Sequence, residues 1–544
     1  MNKSRKSLRA RLRDRKADIG RVFLAMVFIA LVLYPMVRMF AYMDGESIQK
    51  VVTAPSFGTT VVHSLVSAGL STAITVVLAY ALAMCTERSG IRLKSLFAII
   101  FALPMLIPSI SNGMGLIILF GNNGLITRLL HLDGGIYGLP GIVMGSVLYA
   151  FPVAYLMLAD VLKYEDASPY EAARVLGIGR GRQFAAITFP YLRKPMISLI
   201  FATFSMIVTD YGVPLMVGGK YTTIPVVLYQ EVIGQLNFGK GAVYGCLLLI
   251  PAVAAFVLDL LNRDRGNSAY VAKPFAPDGS LGKKVLSYLC CGAVAAFVLL
   301  NLISFGLLAF SKDYPADLSF TLDNILKTLR MKADDYFLNS LLIALFASVL
   351  GVAVSFATAY FTARMHSAAS RFLHLASITS AAIPGVVLGL SYVIVFKGSP
   401  LYGTIAILVM VNIIHFIASP YLMIYNSLSK LNANLEGVGH TLGIRRSLMI
   451  RDVLIPQCRG TLLEMFAYFF TNSMMTISAV SFLATTENKP VSLMINQFEA
   501  QTQLECAAVV SLAILAANLL IKGVVYLCKS AQRRRSPVKA ESSA

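Results

Sequence analysis

Two stretches of this sequence carry the same pattern, and they decide how the rest of the chain is interpreted. The first reads Tyr170-Glu-Ala-Ala-Arg-Val-Leu-Gly177 and ends in Ile187-Thr-Phe-Pro190. The second reads Glu436-Gly-Val-Gly-His-Thr-Leu-Gly443 and ends in Val453-Leu-Ile-Pro456. Thirteen positions lead from the glycine to the proline in both copies. Because the spacing is identical, we interpret the two stretches as one duplicated functional element.

Each copy predicts a short helix, a glycine turn and a second helix that stops before the proline. Gly177 and Gly443 suit a backbone position with positive φ, which glycine adopts without steric cost. The small residues Ala172, Ala173 and Gly439 leave a shallow face on the first helix. Such a segment can lie as a compact knob in the cleft of a partner protein. The alternative is an ordinary amphipathic loop helix.

The composition places the chain in the membrane class. Of its 544 residues, 57% are hydrophobic and 14% are charged, whereas a soluble domain carries about 25% charged residues. A spanning helix needs roughly 20 apolar residues. We therefore predict an all-α polytopic membrane protein with about twelve transmembrane helices. The twelve apolar runs are 21–42, 59–84, 95–121, 141–162, 196–218, 241–261, 285–310, 337–362, 372–396, 402–426, 461–484 and 505–528.

The net charge of the chain is +20. We attribute this charge to membrane topology and not to nucleic-acid binding, because the basic residues lie in short loops between apolar runs. With the N-terminus inside, about 35 of the 47 Lys and Arg residues fall on the cytoplasmic side. We expect both termini to be cytoplasmic and the first apolar run to be an uncleaved span. The seven cysteines and six histidines predict no metal site.

The two halves of the chain resemble each other in the same orientation. His63-Ser-Leu begins the second span, which ends near Arg88, and Asn339-Ser-Leu begins the eighth, which ends near Arg364. Both ends give an offset of 276 residues. Since each half holds an even number of spans, these are two parallel six-helix repeats.

A further match, Ala102-Leu-Pro104 with Ala382-Ile-Pro384, follows in the third and ninth spans. A stretch rich in Gly, Pro, Lys and Asp separates the halves and reads as a linker. The predicted domains are a basic tail at 1–20, a first half at 21–262 with its long loop at 163–195, a linker at 263–284, a second half at 285–528 with its long loop at 427–460, and a basic tail at 529–544.

The duplicated segment resembles the EAA loop of the permeases of binding-protein-dependent ABC importers, and the resemblance covers both halves. It implies the type I ABC importer permease fold, in which each loop is a coupling helix that docks into an ATPase subunit. The second copy departs from the motif, because Gly437 stands where Glu171 does and Glu436 is shifted by one. The implied coupling residues are Glu171, Ala172, Ala173, Gly177, Pro190, Glu436, Gly439, Gly443 and Pro456.

The same resemblance implies the partners. The chain has no phosphate-binding loop, so we predict that it is not an enzyme, has no catalytic residue and holds no cofactor. ATP and Mg²⁺ would bind to a separate ATPase dimer on the cytoplasmic side, and an extracytoplasmic solute-binding protein would deliver the solute. Closure of the ATPase pair would rock the halves about a central path in a bacterial cytoplasmic membrane.

In this family the fifth span of each half lines the path. Asp210 is notable, because a carboxylate near mid-span is costly and usually faces a polar cavity or a partner. It could contact a cationic group or act as a gate. Alternatively, it could be hydrogen-bonded to neighbouring hydroxyl or backbone groups, or lie nearer the outer surface. The candidate path residues are Thr209, Asp210, Tyr211, Asn472, Ser473, Thr476 and Ser478.

Three branches of the family have fused halves, for ferric iron, thiamine and 2-aminoethylphosphonate. The stretch from Asp210 to Val243 is similar to the phosphonate branch, and an aminophosphonate would give Asp210 an ammonium group to meet. Ferric iron would require more oxygen ligands than the spans offer. We therefore expect a phosphonate, with ferric iron as the alternative.

Two other classes of protein are alternatives to this family. An ion-coupled secondary transporter also has twelve spans and parallel halves, but it needs no duplicated loop with this spacing. A membrane-embedded enzyme would require a catalytic constellation, and the sequence offers none.

Overall fold

We describe a computed structural model of the chain, covering residues 19–131, 135–262, 273, 280–365, 367–432 and 434–534. The predicted basic tail at 1–20 and the basic tail at 529–544 lie largely outside these residues, as does most of the predicted linker at 263–284. The architecture is helical, which confirms the predicted all-α polytopic fold.

The contacts divide the chain into two compact units, and each is described by itself. Unit A consists of residues 44–333 and 492–515, and unit B of the residues up to 43, residues 334–491 and those from 516 onward. The helix Leu281–Ala309 follows the linker but packs within unit A, where it contacts Phe57–Arg88, Lys94–Ala102 and Ser109–Phe120. The first helix, Ile19–Ala41, packs within unit B. The packing units therefore differ from the sequence halves by their first helices and by residues 492–515, which belong to the second half of the sequence but pack within unit A.

Unit A is built around the long helix Phe57–Arg88, which packs against Leu139–Lys163 and Phe189–Val208. Within its described residues, strand is confined to the short hairpin Ser311–Asp313 and Asp317–Phe320. Its helices are Gly45–Val52, Phe57–Arg88, Lys94–Ala102, Leu103–Leu106, Ser109–Phe120, Leu125–Leu129, Leu139–Lys163, Ser168–Val175, Arg180–Gln183, Phe184–Thr188, Phe189–Val208, Gly212–Val217, Ile224–Tyr229, Gln230–Gly234, Phe238–Asn262, Leu281–Ala309, Asp323–Arg330, Ser492–Ala500 and the start of Leu504–Arg534.

Unit B contains the matching long helix Ala333–Arg364. The helix approaches its neighbour closely at Gly351, where an added Cβ would lie 2.7 Å from the ring of the buried Phe469. The described helices of this unit are Ile29–Leu33 and Tyr34–Ala41 in the first span, Ala333–Arg364, Ala368–Thr379, Ser380–Ala382, Gly385–Phe396, Ile405–Phe416, Ala418–Ser429, Leu435–Thr441, Arg446–Met449, Ile450–Leu454, Ile455–Met475 and the remainder of Leu504–Arg534.

Length and hydropathy single out the helices that can cross a membrane. In the described residues eight qualify, or up to eleven if each bent pair counts as one span. The eight are Ile19–Ala41, Phe57–Arg88, Leu139–Lys163, Gly181–Val208, Phe238–Asn262, Leu281–Ala309, Ala333–Arg364 and Leu504–Gln532. The predicted span at 461–484 corresponds to Ile455–Met475, which is not among them.

The predicted third and ninth spans are not straight helices. The chain bends by 103° between Lys94–Leu106 and Ser109–Leu129, and by 111° between Ala368–Ala382 and Gly385–Phe396. In both pairs, a proline with an extended backbone directly precedes the second helix: Pro108 with ψ 149° and Pro384 with ψ 141°. A proline has no N–H to continue a helix and its ring restricts the preceding residue, which explains both breaks.

These breaks correct one part of the predicted repeat. Pro384 was matched with Pro104 from the sequence, but Pro108 is the proline that takes the same place at the break. The pair Pro108 and Pro384 also keeps the 276-residue offset that relates Arg88 to Arg364. The offset falls to 266 at the next helices, Leu139–Lys163 and Ile405–Ser429, because the intervening connection is ten residues shorter in the second copy.

Candidate functional site

The first duplicated loop, residues 163–195, folds as a helix that ends in a glycine turn. The helix Ser168–Val175 is followed by Gly177 at φ +68°. The Ile178 amide donates to the Ala173 carbonyl at 2.9 Å, and the Gly177 amide donates to the Arg174 carbonyl at 3.0 Å. This pair of bonds is a Schellman motif, which requires a left-handed residue after the helix.

The second duplicated loop, residues 427–460, has the same turn. Gly443 has φ +72°, and the Ile444 amide donates to the Gly439 carbonyl at 2.8 Å. The predicted positive φ is therefore confirmed at both glycines. Gly439 is buried, and an added Cβ would collide with the methyl group of Met449. The small residue at this position thus lets the loop helix pack against its own second helix.

The turns expose apolar side chains at equivalent places. Leu176 is 74% exposed and Leu442 is 70% exposed, and each directly precedes its glycine. Val175, at the end of the first loop helix, is also largely exposed. By contrast, Ala173 is buried while Ala172 is exposed. Both turns therefore present an apolar tip on the side of the chain that the charge bias predicts to be cytoplasmic.

The predicted coupling glutamates have different surroundings. The Glu171 carboxylate accepts a hydrogen bond from Lys273 Nζ at 2.7 Å, and both side chains are about half exposed. The Glu436 carboxylate instead accepts from Arg364, with Nε at 2.7 Å from Oε1 and a second bond from the other guanidinium nitrogen. The carboxylate of Glu436 is thus engaged inside unit B.

The prolines predicted at the end of each loop begin a long helix. Pro190 is the second residue of Phe189–Val208, and Pro456 is the second residue of Ile455–Met475. One π-helical turn precedes each of them, Phe184–Thr188 and Ile450–Leu454. A proline is tolerated in the first turn of an α-helix. Because both copies carry the same wide turn, the duplicated segments share backbone geometry over their whole length.

Asp210 does not lie in the middle of a helix, because the preceding helix ends at Val208. Its carboxylate accepts from the Ser109 hydroxyl at 2.6 Å and from the Val213 amide at 3.0 Å. It thereby caps the short helix Gly212–Val217 and joins it to the break at Pro108. Hydrogen bonds to a hydroxyl and to backbone amides are among the surroundings that the sequence predicts for Asp210.

Two neighbours of Asp210 were also predicted to line the path. The Thr209 hydroxyl donates to the Ser205 carbonyl at 2.9 Å. Tyr211 is 2% exposed, and its ring stacks on Tyr229 at a centroid distance of 5.0 Å. The Tyr229 hydroxyl in turn accepts from Asn496 at 3.1 Å. This segment is therefore a packed element of unit A.

The path residues predicted in unit B lie around the end of Ile455–Met475. Asn472 donates to the Tyr468 carbonyl at 2.8 Å. The hydroxyl of Ser473 is buried and makes no hydrogen bond to another described residue. Thr476 has an extended ψ of 135° and ends the helix. Ser478 follows, with its Cβ 3.0 Å from the place that a Cβ on Gly385 would take.

The described residues offer few side chains that could ligate a metal together. Within them, no group of three or more His, Cys, Asp or Glu side chains is arranged to hold a metal ion.

The two halves of the chain match one protein family. Residues 75–264 and residues 351–534 each match the family described as "Binding-protein-dependent transport system inner membrane component". The chain belongs to this family. It is a fused permease with two copies of the family domain, and ATP hydrolysis belongs to a separate subunit.

Relatives of this permease carry different substrate names. A putative ferric transport system permease protein of Haemophilus influenzae is 25% identical over 484 residues, which cover 84% of this chain and 76% of the relative. The ferric transport system permease protein of Actinobacillus pleuropneumoniae is also 25% identical over 484 residues, covering 84% of this chain and 70% of the relative. The thiamine transport system permease protein of Brucella abortus is 27% identical over 175 residues, 31% of this chain and 32% of the relative.

Sequence reasoning missed three features of the permease that the structure brings out. Ser109, which donates to Asp210, follows a proline in an apolar run and carries no motif. The exposed Leu176 and Leu442 look like any apolar helix residue. In the sequence, Arg364 marks the end of a span, and its ion pair is not evident. Its match with Arg88 is the signal that both arginines form equivalent ion pairs.

Proposed function

We propose that this permease moves ferric iron across the membrane, in the form that an extracytoplasmic solute-binding protein delivers. The observation that supports this solute is the coverage of the relatives. The two ferric permeases align with 84% of the chain, whereas the thiamine permease aligns with 31%. An alignment that runs through both halves includes both segments that would line a path, whereas an alignment of 175 residues is too short to include 209–211 together with 472–478.

Besides the similarity of the stretch 210–243 and the few oxygen ligands that the spans offer to iron, one ground for a phosphonate was Asp210 as a partner for an ammonium group. That carboxylate is engaged by Ser109 and by backbone amides, so the argument for a zwitterionic solute loses its basis. None of the relatives compared above carries a phosphonate name. Ferric iron, the alternative solute considered from the sequence, therefore becomes the first choice.

We propose further that the two duplicated loops receive a pair of ATPase subunits, which bind ATP and Mg²⁺. The exposed Leu176 and Leu442 beside hydrogen-bonded glycine turns support a docking role, because exposed apolar side chains held at equivalent places suit a partner's cleft. The Lys and Arg bias supports a cytoplasmic position for both loops and both chain termini.

The segments 209–211 and 472–478 remain our proposed wall of the path. Asp210 would act there by fixing the shape of the segment through Ser109 and Val213, and not by binding a cation. An Asp210→Asn variant separates these roles. If Asp210 is structural, uptake should fall by the same factor at all solute concentrations, whereas a cation contact would raise the half-saturating concentration.

The test of the proposed function is uptake by the whole importer in proteoliposomes. The permease is reconstituted with the ATPase and the solute-binding protein of its system, and ferric iron and 2-aminoethylphosphonate are supplied in separate samples. We expect ATP-dependent accumulation of iron alone. Accumulation of the phosphonate would reverse the choice of solute. Uptake driven by an ion gradient without any ATPase would refute the ABC mechanism.

A further inference from the structure

Two arginines occupy the same place in the two copies. Arg88 is the last residue of Phe57–Arg88, and Arg364 is the last residue of Ala333–Arg364. Both side chains are buried, with 10% and 5% of the side chain exposed. Each guanidinium forms an ion pair with a glutamate of the duplicated loop in its own unit, Arg88 with Glu165 and Arg364 with Glu436.

The two glutamates are not equivalent in sequence. At the 266-residue offset that relates the loops, Glu165 corresponds to Leu431, and Glu436 corresponds to Tyr170. The same two positions nevertheless surround the arginine in both copies. The Tyr170 hydroxyl donates to the Glu165 carboxylate, and Arg364 donates to the Leu431 carbonyl at 2.9 Å. The two copies thus form an equivalent contact around the arginine, but the glutamate stands at the first of the two positions in one copy and at the second in the other.

The contact also gathers other parts of each loop. In unit A, the Tyr170 hydroxyl lies 2.7 Å from the Thr188 hydroxyl, which belongs to the turn before Pro190. In unit B, Arg364 donates to the Asn432 carbonyl at 2.7 Å in addition to Leu431 and Glu436. Each arginine therefore connects the end of a membrane helix to the beginning of the loop and to the loop helix.

We propose that Arg88 and Arg364 are positioning residues that transmit the movement of each coupling loop to the long helix of its own unit. An arginine at a helix end can simply complement the helix dipole. That role needs no carboxylate, and it does not explain why two diverged copies restore a buried ion pair through different residues. A buried guanidinium held by several hydrogen bonds, as that of Arg364 is, forms a rigid link, whereas an exposed pair such as Lys273–Glu171 is screened by water.

This inference rests on the proposed function, because it assumes that the loops receive ATPase subunits. Coupling between two sites requires an element with two arrangements whose equilibrium both sites bias, and a loop joined to a membrane helix can be such an element. Without the arginine, an ATPase could still bind the loop and hydrolyse ATP, but the loop would move without its helix. The predicted signature is therefore a change in the ratio of solute uptake to ATP hydrolysis, and not in hydrolysis alone.

The experiment uses the whole importer in proteoliposomes, with ferric iron uptake and ATP hydrolysis measured on the same sample. Arg88→Gln and Arg364→Gln should each lower the uptake per ATP by about fivefold or more, the lower end of typical coupling effects. Lys273→Gln is the matched control, because it removes the exposed ion pair of the same loop, and it should leave the ratio unchanged. Arg364→Lys should give an intermediate ratio, because lysine keeps the charge but lacks the planar fork.

A charge exchange guards against variants that merely fail to fold. Arg88→Glu combined with Glu165→Arg keeps an ion pair at the site, and Tyr170 can serve its new neighbour as an acceptor. The exchanged pair should recover folding and most of the coupling ratio. A folded exchanged pair that stays uncoupled, or Gln variants that couple like the wild type, would overturn the inference and leave the proposed function intact. A wild-type permease that binds no ATPase would overturn both.

Discussion

The glycine turn of each duplicated loop leads to a quantitative prediction. Gly177 and Gly443 hold φ values of +68° and +72°, and an added Cβ would meet no atom within 4 Å at either position. Replacement by alanine therefore creates no collision and tests the backbone conformation alone. An L-residue in the left-handed region costs roughly 1–2 kcal/mol. Gly179 offers a matched control, because its Cβ would also be free and its φ is not in that region.

The control removes a second effect. Replacing any glycine by alanine reduces the freedom of the unfolded chain, which stabilises by about 0.4–1 kcal/mol. This contribution is shared by Gly177→Ala and Gly179→Ala, so the difference between the two variants isolates the left-handed cost. A difference of about 1–2 kcal/mol corresponds to a factor of about 5–30 in the equilibrium for opening the turn.

Hydrogen exchange measures this opening directly. The Ile178 amide is protected by its bond to the Ala173 carbonyl, so its exchange rate reports how often the turn opens. We expect exchange in the peptide over 172–183 to accelerate by the factor above in Gly177→Ala relative to Gly179→Ala. Gly177→Asn should lie between them, since asparagine tolerates the left-handed region better than alanine. Equal exchange in the Gly177→Ala and Gly179→Ala variants would refute the assignment of strain to this turn.

Two further predictions concern stability in detergent. Gly115→Ala should lower the free energy of unfolding by about 1–3 kcal/mol, because the new Cβ would lie 2.8 Å from the buried Asn301 Cγ. The control is Gly69→Ala, whose Cβ would meet nothing within 4 Å and which should not lower this free energy. Equal melting temperatures of the two variants would contradict the close packing at Gly115. Burial raises the pKa of the Glu499 carboxyl above its ordinary value of 4.5. The neutral carboxyl therefore contributes its full stabilisation below that ordinary value, and this stabilisation is lost as the pH rises through the raised pKa. Glu499→Gln should therefore melt at a higher temperature than the wild type at neutral pH and at the same temperature near pH 4, and a gap that persists in acid would argue against this cause.

Hydropathy and spacing predicted what depends on local sequence. Long apolar runs become long helices, and a glycine at a fixed distance from a proline becomes a left-handed turn, because both outcomes follow from properties of the residues themselves. The breaks after Ile107 and Ile383 escaped prediction. A proline inside an apolar run forbids a regular helix, but it does not state whether the chain continues straight or turns by more than 100°. That choice depends on what the second piece packs against.

The contacts of the candidate site were harder to predict for a related reason. Asp210 gave a strong signal as a carboxylate in an apolar run, but its partner Ser109 lies a hundred residues earlier and is brought close only by the break. Glu436 looked like a shifted copy of Glu171, whereas its carboxylate serves Arg364. Comparing residues by motif position assumes that equivalent positions keep equivalent contacts, and the acid that pairs with each arginine breaks that assumption.

The two loops therefore offer different charges to an ATPase dimer. The first loop presents the half-exposed Glu171, while the second has Gly437 at that position and its nearest carboxylate is held by Arg364. What the loops share is the exposed leucine before a left-handed glycine. Burying such a leucine contributes about 1.5–3 kcal/mol, and it does so at both sites. If the two ATPase subunits are identical, Glu171→Gln should weaken docking at only one of the two sites, whereas replacing Leu176 and Leu442 with serine should weaken both. An ATPase that docks equally well after the leucine replacements would show that the shared surface lies elsewhere on the loops.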